Sequence, residues 1–295
     1  MNLDPMLSWP NDLVVDIARR RSVLFLGAGV SKNSTNQQGE RPMDWVEFLT
    51  HLASLIENAA TAAVVRKCIS GGDLLTACEI ARRALGSDRF KTELLRAFSE
   101  KRFRYAAIHK DLVEIDSRIV LTTNFDKLYD TAANTILHGD VIVKSYTDPE
   151  IADLVRRQNR CIIKVHGTID AAGDAVLTRK DYAVARSAYT HFYRVIDALF
   201  MTHTFVFLGA SMRDPDMALI MEDNAIRHRG TRPHYVVMPE DATSAAEVDV
   251  LEESLNVKAI KYNPANNHQE LVDGIGDLKT QVAGVRADLL QTMNW

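Results

Sequence analysis

At 295 residues, 46% hydrophobic and 25% charged, the chain has the composition of a globular protein with apolar material for one large or two modest cores, which excludes disorder. A net charge of −4 lacks the basic excess of a phosphate-binding surface, so direct nucleic-acid binding is not expected, and Arg19-Arg20-Arg21 and Lys101-Arg102-Phe103-Arg104 read as helix-end charges and solvated faces. Cys68, Cys78 and Cys161, without Cys-x-x-Cys spacing, indicate neither a disulfide framework nor a zinc site; with no basic n-region in 1–10 and no apolar run of membrane-spanning length, a cytoplasmic protein is expected.

Asn11 or Asp12 is placed to cap a helix over 13–20, which delivers the chain into Val23-Leu24-Phe25-Leu26, four apolar residues that suit a strand buried on both faces. Gly27-Ala28-Gly29-Val30-Ser31 follows. A Gly-x-Gly after a strand either turns the backbone towards a bound phosphate or makes a tight βα connection, and the motif alone does not decide. The polar stretch 32–42, with Gly39 and Pro42, has loop composition, either a functional flap or plain surface. From Asp44 to about Asp116 one helical period follows another, beginning Trp45-Phe48-Leu49-Leu52-Leu55-Ile56, with Gly71-Gly72-Asp73 and Gly86-Ser87-Asp88 as stop and cap signals. This pattern predicts four or five helices, a helical subdomain at 44–116 inserted between core segments 11–43 and 117–265.

Six further strand-like runs, at 118–121, 141–144, 161–165, 205–208, 234–238 and 257–262, are mostly continuous in apolar residues and separated by helices. Together they predict a single domain with a doubly wound, Rossmann-like α/β fold: a parallel sheet covered by helices on both faces. C-terminal helices over 266–295 follow, in which Leu271, Ile275 and Leu278 share one face.

In such sheets the ligand sits beyond the carboxyl ends of the strands. Four strands there end in small or polar residues: Gly27-Ala28-Gly29-Val30-Ser31, Thr122-Thr123-Asn124-Phe125-Asp126, His166-Gly167 and Gly209-Ala210-Ser211. Each taken singly also reads as a helix cap or a tight turn; their coincidence at one sheet edge makes them the candidate site. Asp214 and Asp216, either side of Pro215, read as caps of the next helix, and Asp44, His109, Asp111 and Asp181 as solvent-facing or locally bonded groups.

In order and spacing, Gly27-Ala28-Gly29-Val30-Ser31, Thr123-Asn124-Phe125-Asp126, His166-Gly167 and Gly209-Ala210-Ser211 resemble the NAD-binding domain of the sirtuins (SIR2), over about 22–262. His109 resembles the histidine of the sirtuin helix ahead of the strand leading to Asn124. Sirtuin deacylases carry a zinc module held by two Cys-x-x-Cys pairs, for which this chain lacks the thiolates, so no zinc is expected. They also have Pro-Asp-Phe-Arg where this chain reads Arg41-Pro42-Met43-Asp44-Trp45. With Gly39-x-x-Pro42-x-x-Trp45 and Val176-Leu177-Thr178-x-x-Asp181-Tyr182, the chain is more similar to the SIR2-like NAD hydrolases of bacterial antiphage defence, which work with a HerA-type ATPase, a short Argonaute or a second domain.

The resemblance implies that NAD is a substrate, cleaved to nicotinamide and ADP-ribose. Breaking that glycosidic bond develops oxocarbenium character on the ribose while a neutral base leaves, so the protein has to orient the ribose, hold the pyrophosphate and admit one water. By resemblance, Gly27, Ala28, Gly29 and Ser31 would line the pyrophosphate and adjoining ribose, mainly through backbone N–H groups, with Thr123 in the same binding set. Asn124 would bind the nicotinamide ribose or position the water, Asp126 would meet the carboxamide, and His166 would be the base on a ribose hydroxyl or on water. Gly209 and Ser211 would approach the adenosine half. An NAD-dependent protein deacylase and a non-catalytic NAD or ADP-ribose binding module are the alternatives. A homo-oligomer and an activating protein partner are implied as well.

Overall fold

The computed structural model describes residues 7–212, 214–228 and 230–292; the reading of 1–6 and the end of the C-terminal helical stretch from Met293 lie outside the described residues. The chain runs α1 (Asn11–Ala18), β1 (Ser22–Leu26), α2 (Ala28–Ser31), α3 (Trp45–Ser54), α4 (Ala59–Ser70), α5 (Leu74–Leu85), α6 (Ser87–Leu95), a π-helical turn (Arg96–Glu100) and α7 (Ala107–Glu114). It continues through β2 (Ile119–Thr122), α8 (Leu128–Ile136), β3 (Ile142–Ser145), α9 (Ile151–Arg156), β4 (Cys161–Lys164), a 3-10 segment (Ile169–Asp174), α10 (Arg179–Ala188), α11 (Thr190–Thr202) and β5 (Thr204–Leu208). Last come α12 (Pro215–Arg227), β6 (His234–Pro239), α13 (Ala245–Leu255), β7 (Val257–Tyr262) and α14 (Ala265–Thr292). No helix among the described residues is long and apolar enough to cross a membrane.

All seven strands pair in parallel in one sheet of order β3-β4-β2-β1-β5-β6-β7, so the doubly wound α/β expectation holds. The runs of β1, β2, β4, β5 and β6 are mostly apolar because both their faces are covered. Leu24, Leu26, Val120, Ile162 and Val206 pack with α1, α7, α8 and α14, and the alternate residues Val23, Phe25, Ile119, Ile163 and Phe207 pack with α9 to α13. At the edge, β7 buries Val257, Ile260 and Tyr262 but exposes Lys258 and Lys261, which discourages further pairing. Leu271, Ile275 and Leu278 are core residues of the first face. Arg286 of α14 donates to the carbonyls of Ile17, Ala18, Ile115 and Asp116, satisfying the ends of α1 and α7 together.

Helices α3 to α6 enclose a third core built on Phe48, Leu49, Leu52, Cys78, Phe90 and Leu94. Asp44 and Glu47 close a capping box on α3, Asp73 caps α5 after Gly72 turns at φ +77°, and Gly86 ends α5 at φ +78°. Two local expectations shift. Ser87 and Asp88 lie inside α6 instead of capping it, and α1 begins at Asn11 behind Pro10, with Asp12 accepting from the Tyr235 hydroxyl at 2.9 Å. Helix α7, read with the helical block, packs instead on the sheet through Ile108, Leu112 and Val113, and its Asp111 pairs with Lys279 of α14 at 2.5 Å. The loop at 32–42 is pinned: Asn36 accepts from Gln38 and Glu40 N–H, Lys32 pairs with Asp44, and Thr35 bridges to Arg104.

Candidate active site

The sheet order places β4, β2, β1 and β5 side by side, so the four polar strand ends are neighbours at the point where the chain crosses from one half of the sheet to the other. At its centre the β1 and β5 ends interlock. Gly27 N–H donates to Leu208 O and Gly29 N–H to Gly209 O, both at 2.9 Å. A Cβ on Gly27 would overlap Gly209 O, and one on Gly29 would lie 2.8 Å from the Gly209 Cα. The glycines are therefore required by two backbones in contact. The N–H groups of Gly27 and Gly29 are thereby engaged by β5. Val30 N–H goes to Gly27 O at 3.1 Å, and Ala28, opening α2, has no intrahelical acceptor for its own.

One cluster surrounds Asn124. Its Nδ2 donates to Gly27 O at 2.9 Å and to Ser31 Oγ at 3.0 Å, and its backbone N–H to Thr122 Oγ1 at 3.1 Å. Thr123 N–H reaches Leu26 O at 3.3 Å, so β1 also holds the loop. The Ser31 hydroxyl donates to Asp126 Oδ2 at 2.7 Å, and Leu128 N–H to Asp126 Oδ1 at 3.0 Å. Each Asp126 oxygen thus accepts one bond from the protein, which ties Ser31 to the start of α8 and leaves the carboxylate further acceptor capacity. Phe125 turns the other way, into the helical block, with its ring 6.4 Å from Trp45 and 6.3 Å from Phe98.

Beneath the loop lies a group the sequence reading passed over. Lys164, 2% exposed at the end of β4, donates to the Asp126 carbonyl at 2.5 Å and pairs with Asp130 at 3.1 Å. Burial pushes the Asp130 carboxyl up, and the Lys164 charge opposes it. His109, fully buried on α7, is pushed down to about 4 by burial against the pull of Asp126, so it is neutral; its Nδ1 accepts from Ala106 N–H at 3.2 Å and Nε2 has no partner among the described residues.

The second cluster is built on His166, which follows β4 and precedes Gly167 at φ +87°. His166 Nε2 lies 2.8 Å from Asp214 Oδ2 and 3.2 Å from the Tyr182 hydroxyl, which donates to the same carboxylate oxygen at 2.7 Å. Asp214 Oδ1 accepts from Asp216 and Met217 N–H, capping α12 as expected. Burial alone would raise the Asp214 carboxyl, but His166, the α12 backbone and Tyr182 hold it below its ordinary range. Burial, then the Asp214 charge, pushes the Tyr182 phenol far up, so it stays a neutral donor. The sequence signal for Asp214 was its place: three residues after the strand-end Gly209-Ala210-Ser211. Ser211 itself stands exposed, with no hydrogen bond to the other candidates. Asp44 and Asp181 close capping boxes, and Asp181 also takes Arg82 at 2.9 and 3.1 Å. Among the described residues no group of three or more His, Cys, Asp or Glu could hold a metal ion.

Residues 118–260, from β2 to β7 and including Asn124, His166 and Asp214, match the family model of the SIR2-like domain. Over that segment the chain is similar to SIR2-like domains. Proteins to which the chain is similar include several named NAD(+) hydrolase ThsA. That of Enterococcus faecium is 26% identical over 226 residues, covering 75% of this chain and 44% of the relative. That of Bacillus cereus (strain MSX-D12) is 21% identical over 314 residues, covering 100% of this chain and 62% of the relative. That of Acinetobacter baumannii (strain 532279) is 25% identical over 130 residues, 44% of this chain and 27% of the relative. The chain thus spans less than two thirds of the length of the first two of these relatives.

Proposed function

We propose that this chain is an NAD glycohydrolase, converting NAD and water to nicotinamide, ADP-ribose and a proton, and that it serves bacterial antiphage defence. The observation that carries the reading is the pairing of Asn124 and His166 on the neighbouring strand ends of β2 and β4, each held by its own hydrogen-bond network, in a chain whose relatives are named NAD(+) hydrolases. The C1′–N1 bond breaks with its electron pair leaving on nicotinamide, and a water oxygen bonds to C1′. Asn124 positions the ribose or the water, and His166 takes the proton from the attacking water or a ribose hydroxyl. Ser31 and Ala28 face the sugar-phosphate side, and Gly27, Gly29 and Gly209 bring the two turns close enough to form its floor.

Unregulated NAD loss would kill the host, so the enzyme works under a trigger supplied by a protein partner, such as a HerA-type ATPase or an Argonaute, within a cytoplasmic homo-oligomer. The test is NAD consumption by the full chain, alone and with the product of its genomic neighbour. Wild type is expected to release nicotinamide without any acyl-lysine peptide, and His166→Ala and Asn124→Ala each to lower the rate by about 10²-fold or more. Release only in the presence of an acyl-lysine peptide would replace this reading with a deacylase; tight nucleotide binding without turnover, unchanged in Asn124→Ala, would replace it with a binding module.

A further inference from the structure

We propose that Asp214 and Tyr182 are positioning residues that fix His166 as the Nε2–H tautomer, leaving Nδ1 as the ring nitrogen that accepts a proton from substrate or water. The inference rests on the NAD-hydrolase reading for its catalytic half and on geometry alone for its tautomer half. A neutral imidazole carries one N–H, and the hydrogen bond at the other end of the ring decides which nitrogen bears it.

Three atoms meet here: His166 Nε2, Asp214 Oδ2 at 2.8 Å and the Tyr182 hydroxyl oxygen at 3.2 Å. Tyr182 has one proton to give, and it goes to the carboxylate at 2.7 Å. A bare Nε2 would set its lone pair against the Asp214 oxygen, two acceptors facing each other in a buried place. An Nε2–H instead donates to Asp214 and grazes the Tyr182 oxygen, so every polar atom of the triangle is satisfied. Nδ1 takes no hydrogen bond among the described residues. The anchor is rigid, because Asp214 Oδ1 is engaged by the N–H groups of Asp216 and Met217 at 3.1 and 2.9 Å. Neighbouring charge leaves the arrangement intact: Arg186 and the Tyr193 hydroxyl go to Asp216, not to Asp214. The three members come from three sequence stretches, the His-Gly turn, Leu177-Thr178-x-x-Asp181-Tyr182 and the Asp-Pro-Asp after β5, whose shared purpose is the orientation of one ring.

Asp214→Asn is the clean variant, since asparagine caps a helix as well as aspartate does and α12 keeps its start. It removes the obligatory acceptor facing Nε2, because an amide can present either its oxygen or its NH2. The full chain, labelled with 15N-histidine, is measured by NMR above neutral pH, with His166 assigned by its loss in His166→Gln. Wild type is expected to show a protonated Nε2 and a bare Nδ1, and Asp214→Asn a mixture of tautomers. In NAD hydrolysis by the full chain with its activator, Asp214→Asn is expected to lower kcat by about 10²-fold with KM for NAD within about threefold, and Tyr182→Phe to lower it less. A wild-type ring protonated on Nδ1, or an Asp214→Asn variant with unchanged tautomer and unchanged kcat, overturns the proposal. Absence of NAD turnover in wild type overturns the proposed function while the tautomer measurement still decides the positioning claim.

Discussion

Replacing Lys164 with Met is expected to cost about 3–5 kcal/mol of folding stability at neutral pH, measured by urea denaturation. The methionine fills much of the same space, so the loss comes from charge: Asp130, 4% exposed, is left ionised with its cation removed. The pH dependence has a definite sign. Burial already raises the Asp130 carboxyl, and without Lys164 it rises further above its unfolded value. A carboxyl raised in the folded state binds a proton more tightly there than in the unfolded chain, so stability is gained as pH falls through the folded value and lost as pH rises. The deficit of Lys164→Met should therefore shrink in mild acid and be largest above neutrality. Lys164→Met combined with Asp130→Leu should recover most of the stability, yet not the full NAD turnover, because the amine also held the Asp126 carbonyl that shapes the Asn124 loop. Full recovery of both would show that Lys164 only neutralises Asp130.

Gly209→Ala is the second large effect, expected to lower stability by about 2–4 kcal/mol, with loss of NAD turnover in the folded fraction. Two costs combine. Gly209 sits at φ +61°, and an added Cβ would lie 2.5 Å from Val30 N and 2.8 Å from Gly29 C. Two comparison variants separate them. Gly39 has φ +79° and nothing within 4 Å of its Cβ, so Gly39→Ala reports the conformational cost alone, about 1 kcal/mol. Gly27 has an ordinary extended backbone at φ −103°, so Gly27→Ala reports the steric cost alone. If Gly209→Ala were no worse than Gly39→Ala, the close contact between the β1 and β5 turns would be too soft to matter.

The central strands were legible because a parallel sheet buried on both faces demands nearly unbroken apolar runs; the edge strands β3 and β7, covered less fully, carry lysines within theirs. The helix caps at Asp73 and Asp214 were legible for a local reason, since a cap is satisfied within three residues. The membership of α7 was not. Its apolar period is the same as that of α3 to α6, and period tells which face is buried but not against what. Lys164 was missed because the run Cys161-Ile162-Ile163-Lys164 reads as a strand with a polar end, and its partner Asp130 lies on another element. Asp214 was half read: its cap is written in Asp-Pro-Asp, whereas its hold on His166 joins residues 48 positions apart and depends on how β4 and β5 flank the centre of the sheet. Gly27 and Gly29 announced a close approach without saying to what.

The helical block has its own core, yet it is not a detachable module. It grips the site from two sides at once: Phe125, between Asn124 and Asp126, packs among Trp45 and Phe98, while Arg82 holds Asp181 and Thr178 at the start of the helix that carries Tyr182. Ile169, Ala175 and Leu177, which lie just beyond the His-Gly turn, belong to the same core. A shortened chain lacking these helices would keep every strand and every residue named in the site, and still lose the common splint that sets the Asn124 arm and the His166 arm relative to each other.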